Sequence, residues 1–558
     1  MKIKFFPIAV FMLLIMNKSQ AQIDYNNVPE VTQKIFINDA NIQKNPSTNL
    51  GIGDILIEDG LIKQVGVQLT PPIDAKIIEA DSAYAYAAFI DAMSHIGIPK
   101  SDEKRKRPDV KFKGFPPNKV AGITPQLKAS SFIEHDDASI KSLRESGFAI
   151  AHVVPRGKML PGQGSVISLS GSSSQDMIIK DNYSMFLQFT GASGVYPNTI
   201  IGVMAKWKDL YYKAHYHNKN LQSYKINSSG IKRPKEDKVL NALIPVTEKS
   251  MPVFMKTNKA KDIFRAIALQ ESTGYPLVLG DVKQIGGAEN KLKEKNLTVL
   301  LSVGLPKAEK EEKKDSTITD ESKKALMKRK KESYTAYLSQ AAQLEKAGIP
   351  FAFSFLSSKP KDLKTNIQKL IKHGLSTEAS LAALTTNPAK ILGIDKIAGT
   401  IDKGKLANII LTDNPYFEKK SRIKYVFVEG QMTEIKEVKK KKKGGARGKG
   451  KENLIGKWTY SVDVFGTQQT GNLTISEDGD DLKIEFIADS NPDEISEGRD
   501  ITYEDGNLTY VVTVDGGGQE MDIEISLDFE GDQFTGTASM EGMESLPMEG
   551  NKISSPEK

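Results

Sequence analysis

The sequence predicts an α/β chain: a (β/α)8 barrel with β strands on both flanks, followed by a separate all-β domain. Three observations carry this. Between residues 98 and 394, short apolar runs alternate with helical segments. That is the pattern of parallel strands joined by helices, and a chain of about 300 residues is the size at which it closes into an eightfold barrel. β-rich stretches stand on either side, at 34–80 and 401–430. From residue 454 the pattern becomes strict alternation broken by Asp-Gly pairs at 478, 505 and 515, the mark of antiparallel strands and tight hairpins.

The elements follow in order. Lys2 and Lys4 precede an apolar run from Phe5 to Met16, and Ser19, Gln20 and Ala21 offer a cleavage site. This reads as a signal peptide over 1–21, too short in its apolar part to span a bilayer. The N-terminal flank, 22–88, holds strands at Lys34–Ala40, within Gly53–Gly66 and at Ala75–Ala80; Asp59-Gly60 lies between apolar runs and predicts a hairpin turn. The barrel, 89–394, opens on the buried strand Tyr86–Gly97. Positions two apart on a strand face the same way, so Met93 and His95 point into one pocket.

Further strands are read at Ala149–Val154, Pro252–Met255, Tyr275–Leu279, Leu297–Leu301 and Ile349–Phe353. Helices are read at Asp137–Ser146, Lys259–Gln270, Asp362–Lys372 and Thr377–Leu384. Gly157–Gly171 reads as a glycine-rich loop, with a tight turn at 161–164 ahead of a strand at Ser165–Leu169; no Gly-Lys-Ser/Thr follows, so it is not a phosphate loop. Lys307–Tyr334 is a charged insertion, exposed and helical or disordered. Residues 395–435 complete the flanking β unit, 436–453 form a lysine- and glycine-rich linker, and 454–558 form the antiparallel β domain, a sandwich or small barrel.

Composition excludes several classes. The chain has 558 residues and no cysteine, which removes disulfides, cysteine zinc sites and a lipid anchor on an N-terminal cysteine. Residues 454–558 hold 24 acidic and 5 basic residues, a balance of −19, so the preceding part carries +26 of the overall +7. These charges read as solvated surface, and nothing in their pattern calls for nucleic acid. The leader places the protein outside the cytoplasm, secreted or periplasmic, with no transmembrane segment.

Taken together, Gly53–Gly66, Phe89–Asp91, Gly122–Pro125, Gly147–Pro155, the Pro161–Gly164 turn, Pro252–Ile263, the block Leu384–Gly393 with its Thr-Asn-Pro-Ala-Lys-Ile-Leu-Gly text, and Gly399–Ile409 resemble the amidohydrolase superfamily, in its imidazolonepropionase-like, secreted bacterial branch. The resemblance spans most of residues 34–430. It implies a (β/α)8 barrel whose two flanks form a composite β-sandwich. It also implies hydrolysis of C–N bonds by a water activated on zinc or another divalent metal, which histidines hold while an aspartate takes the proton.

The metal ligands do not carry over. Met93 stands where the first histidine of the family's His-x-His is expected, and only His95 remains. Lys256 stands at the next histidine position, and the expected aspartate falls near Leu356, in Ser354–Ser358, which has no acid of its own. The late Asp-Ala-Asp pattern is Leu406-Ala407-Asn408. Thioether and ammonium groups are poor partners for a hard divalent cation. His135, His152, His215, His217 and His373 read as surface or structural residues, and His215 with His217 as a chance pair.

The sequence therefore points to an amidohydrolase-like barrel without its metal centre or any other cofactor, serving as a binding or partner subunit. It would take a small-molecule ligand and form a dimer with itself or with an intact relative. Met93, His95, Lys256, Asp281 and Leu356 are the pocket candidates. Two alternatives stay open: a hydrolase with an altered or metal-free site, in which His95 or Asp281 replaces the base, and a surface-binding protein acting through the C-terminal β domain.

Overall fold

The computed structural model describes residues 34–99, 110–306, 321–358, 360–435, 454–464, 467–478, 481–492, 494–504, 507–515, 520–540 and 546–554. The leader, the first residues of the N-terminal flank, residues 307–320 of the charged insertion and the 436–453 linker lie outside them. The chain divides into two compact units, 1–436 and 437–558.

The first unit begins with β1 (Ile35–Asn45), β2 (Thr48–Glu58), β3 (Leu61–Gly66), β4 (Lys76–Glu79) and β5 (Tyr84–Ala87). The turn between β2 and β3 is the expected hairpin: Asp59 has φ +53 and Gly60 φ +73, both left-handed, as a tight turn matched to strand twist requires. β1 pairs antiparallel with β2 and parallel with β4 and β5.

The barrel strands follow: β6 (Phe89–Ser94), β7 (Phe148–Val153), β8 (Gly162–Ser168), β9 (Ile178–Gln188), β10 (Val253–Lys256), β11 (Leu277–Val282), β12 (Thr298–Ser302) and β13 (Phe351–Ser354). They form one eight-stranded sheet in sequence order. It curls back on itself where the Phe355 amide and the Ser354 hydroxyl each donate to the Met93 carbonyl of β6, at 3.0 Å. The helices around it are α1 (Ala138–Glu145), α2 (Ile200–Ile226), α3 (Lys238–Thr247), α4 (Ala260–Thr273), α5 (Glu289–Glu294), α6 (Glu321–Ala347), α7 (Leu363–Lys372), α8 (Thr377–Leu384) and α9 (Thr386–Ile391). Phe89, Phe148, Phe254 and Phe353 are buried in its core.

One feature corrects the regular (β/α)8 expectation. β8 runs antiparallel to both β7 and β9, so seven strands share one direction and one opposes them. The connections 154–161 and 169–177 are hairpin-sized; a parallel crossover needs a dozen or more residues. The supposed glycine-rich turn is the start of this strand. A β-carbon on Gly164 would lie 2.6 Å from both His152 Nε2 and Ser184 Oγ, so only glycine lets β8 pass over the buried imidazole.

After the barrel, β14 (Ile409–Thr412), β15 (Ile423–Val428) and β16 (Gln431–Glu434) return to the first sheet, giving the order β16-β15-β14-β5-β1-β2-β3 with β4 on β1. Both flanks thus build one eight-stranded sheet. Side-chain alternation splits it: Ala85, Ala87, Ile409, Leu411 and Phe427 join its own core with Ile35, Ile55 and Ile62, while Tyr86, Ile410, Val426 and Val428 join the barrel core.

The second unit has eight antiparallel strands: β17 (Gly456–Val464), β18 (Thr467–Asp478), β19 (Asp481–Ala488), β20 (Ser496–Glu504), β21 (Asn507–Asp515), β22 (Glu520–Glu530), β23 (Gln533–Met540) and β24 (Leu546–Ser554). They close into a barrel as β24 pairs with β17, which decides between sandwich and barrel. Trp458, Leu473, Ile484, Tyr510, Leu527 and Phe534 fill its interior, and Trp458 Nε1 donates to the Leu454 carbonyl at 2.9 Å. No helix among the described residues is long and apolar enough to cross a membrane.

Candidate functional site

The ends of β6, β10, β11 and β13 bring the sequence-predicted residues together at the C-terminal face of the barrel strands, the face where such barrels place their chemistry. Met93 is fully buried near the end of β6 and packs on Gly280 of β11; a β-carbon at 280 would overlap its Cε and approach its Sδ to 3.0 Å. The thioether therefore fills the space at the end of β6 and lies against the β11 backbone.

His95 lies one residue beyond β6. Its Nδ1–H donates to the Val154 carbonyl at 2.7 Å, and its ring stands edge-on to Phe186. Burial pulls its pKa down to about 4, and the cations Arg156 and Lys256 act in the same direction against the hydrogen bond to Val154. It is neutral at pH 7, with Nε2 as its remaining acceptor.

Lys256 ends β10. Its Nζ lies 3.8 Å from Asp281 Oδ2, with its side chain 23% exposed and that of Asp281 fully buried. Burial lowers the Lys256 pKa, Asp281 opposes this, and Lys283 adds to it. Asp281, on β11, adopts φ +50, in the left-handed region that Asp enters more readily than most side chains. The Ser357 hydroxyl donates to the same Oδ2 at 2.5 Å, and Oδ1 has no hydrogen-bond donor among the described residues. The 354–358 segment carries no acid of its own, yet β11 supplies one: Asp281 sits against Ser357, the neighbour of half-buried Leu356.

Two groups were not singled out by the sequence. Asp91, fully buried beneath Met93, has its pKa pushed up to about 7 by burial, against hydrogen bonds from Ser94 and the Met93 and Phe355 amides and with help from Asp281. Ser357 is exposed, and one of the three serines in 354–358 carries no sequence signal of its own. The remaining histidines keep the expected structural roles where contacts define them. His152 donates from Nδ1 to the Ala92 carbonyl at 2.9 Å and accepts at Nε2 from Ser184 Oγ at 2.8 Å. His215 and His217 lie on α2, and His217 Nε2 contacts Asn241 Oδ1.

This donor set does not fit a divalent metal. Both ring nitrogens of His152 are engaged, Met93 offers a soft thioether, and an ammonium sits beside the nearest carboxylate. No group of three or more His, Cys, Asp or Glu among the described residues could hold a metal ion. A catalytic zinc usually needs three protein ligands.

Residues 305–433 match the amidohydrolase family. The fold resembles that of an amidohydrolase from Thermotoga maritima at 23% identity and a TM-score of 0.59, covering 72% of this chain and all of that one. Ochratoxinase from A. niger is a looser structural match, at 11% identity and a TM-score of 0.41, covering 73% of this chain and 97% of that one. No curated protein matches the chain.

Proposed function

From this chain's membership in the amidohydrolase superfamily, we propose that its barrel binds a small carboxylate-bearing amide, a dipeptide or an N-acyl amino acid, with Lys256 in place of the family's metal. By family resemblance the chain is a hydrolase of C–N bonds, and compounds of this class present an amide beside an anion. The observation that carries the reading is the Lys256–Asp281 pair at the strand ends, at 3.8 Å and with Lys256 partly open to solvent. A ligand carboxylate arriving there meets a cation whose ion-pair partner among the described residues is one buried carboxylate. Met93 against Gly280 supports the same reading, since it fills first-strand space with a group that holds hard cations poorly.

The test is calorimetry of the full chain with N-acyl amino acids and dipeptides, each compared with its C-terminal amide. The reading expects the free carboxylates to bind ~10-fold or more tighter than the amides, and Lys256→Met to erase that preference. Equal affinity for acid and amide, or a preference untouched by Lys256→Met, contradicts it. Export from the cytoplasm and a dimer with itself or a metal-bearing relative belong to the same proposal; fractionation of the native host and light scattering of the purified chain test them.

A further inference from the structure

The Ser357 hydroxyl is exposed at the mouth of this site and bonded to a fully buried carboxylate, a pairing that binding alone does not require. The hydroxyl donates to Asp281 Oδ2, and a carboxylate so placed is within reach to take its proton as a general base. Asp281 is held within β11, and among the described residues its other oxygen has no hydrogen-bond donor. Lys256 Nζ approaches the same Oδ2 to 3.8 Å, so a cation stands beside the carboxylate that bonds the hydroxyl.

We propose that Ser357 is a nucleophile, with Asp281 its general base and Lys256 the cation facing the oxyanion, forming a metal-independent acyl-transfer centre for amides or esters of small acyl groups. The steps balance without a co-reactant other than water. Ser357 Oγ forms a bond to the acyl carbon as its proton passes to Asp281 Oδ2. The tetrahedral oxyanion collapses, the C–N or C–O bond breaks, and Asp281 returns the proton to the leaving amine or alcohol. Water then attacks the acyl-serine as Asp281 takes its proton, and as the ester bond breaks Asp281 returns that proton to Ser357 Oγ, giving a carboxylic acid, free Ser357 and the carboxylate base. The inference rests on the reading that ligands seat beside Lys256, but its test does not depend on a carboxylate.

The experiment treats the full chain with an uncharged fluorophosphonate and, separately, with p-nitrophenyl acetate, and reads adducts by intact mass and peptide mapping. A single adduct on Ser357 is expected, lost in Ser357→Ala and formed at least ~100-fold more slowly in Asp281→Asn, with circular dichroism confirming the fold of each. No adduct on Ser357, or labelling of Asp281→Asn at the wild-type rate, overturns the proposal. Should Asp281→Asn fail to fold, Asp281→Glu decides: labelling slowed at least ~10-fold supports the base, and labelling at the wild-type rate overturns it. Carboxylate binding without Ser357 labelling removes the nucleophile and leaves the binding reading; labelling without carboxylate binding does the reverse.

Discussion

Replacing Lys256 by methionine separates the charge pair from the rest of the site. The variant keeps a long, unbranched side chain at the end of β10 and removes the ammonium 3.8 Å from Asp281. At an effective dielectric of about 20, that attraction corresponds to about 4 kcal/mol. The direction of the Lys256 shift shows that burial of the ammonium costs more than Asp281 returns, so removing the ammonium relieves part of the loss. What remains is a fully buried carboxylate whose hydrogen-bond donor among the described residues is Ser357, and the net destabilisation expected is about 1–3 kcal/mol. Trp207 is buried in the first unit and Trp458 in the second, so urea unfolding in a Trp458→Phe background reports the barrel by fluorescence. The double variant Lys256→Met/Asp281→Asn should recover most of the loss. A single variant as stable as wild type, or a double variant that loses the sum of both singles, would refute the reasoning.

Three further outcomes follow from the fold. Gly164→Ala should cost about 1–3 kcal/mol in urea unfolding, because its β-carbon meets His152 and Ser184 at 2.6 Å, whereas Gly114→Ala, with nothing within 4 Å, should stay within about 0.5 kcal/mol. Ser184→Ala should lose about 1–3 kcal/mol by leaving His152 Nε2 buried without a partner. Acid should act on two buried groups in opposite directions. His152, lowered to about 4 chiefly by burial against the pull of its bond to Ala92, contributes stability that is present above about 6.5 and lost as pH falls through 4, up to ~3 kcal/mol. Asp91, raised to about 7, contributes stability that is full below about 4 and lost as pH rises through 7, roughly 4 kcal/mol. Urea midpoints at pH 4.5 and 7.5 check this: the wild type should gain on Asp91→Asn as pH falls, and an unchanged difference contradicts it.

Much of the fold was legible because its signals are local. Asp59-Gly60 lies in a hairpin whose two turn residues both need positive φ, a requirement the residue types state directly. The helix over 377–384 matches its expected bounds, where Ser376 supplies a cap through the Ala379 amide. The antiparallel β8 was not legible, because Gly162 and Gly164 read as turn residues and the reason for them, room for His152, is a contact across the sheet. β9 and α2 carry no clear signal in the sequence, since α2 presents a mixed surface with only Val203, Trp207, Leu210, Tyr211 and Ala214 buried. At the site, the resemblance points to Lys256 and the strand end to Asp281, and the structure sets the two 3.8 Å apart. Ser357 carries no such signal, because the carboxylate it bonds lies 76 positions away in the chain.

The account turns on whether the strand ends hold an ammonium–carboxylate pair in place of a metal. The direct measurement is the metal content of the full chain, purified without chelator, incubated with excess zinc, manganese or iron, passed through a desalting column and assayed by mass spectrometry. The account predicts far less than one equivalent retained, with the same value for Lys256→Met. Near-stoichiometric metal that survives the column, and falls when His95 or Asp281 is replaced, would contradict it.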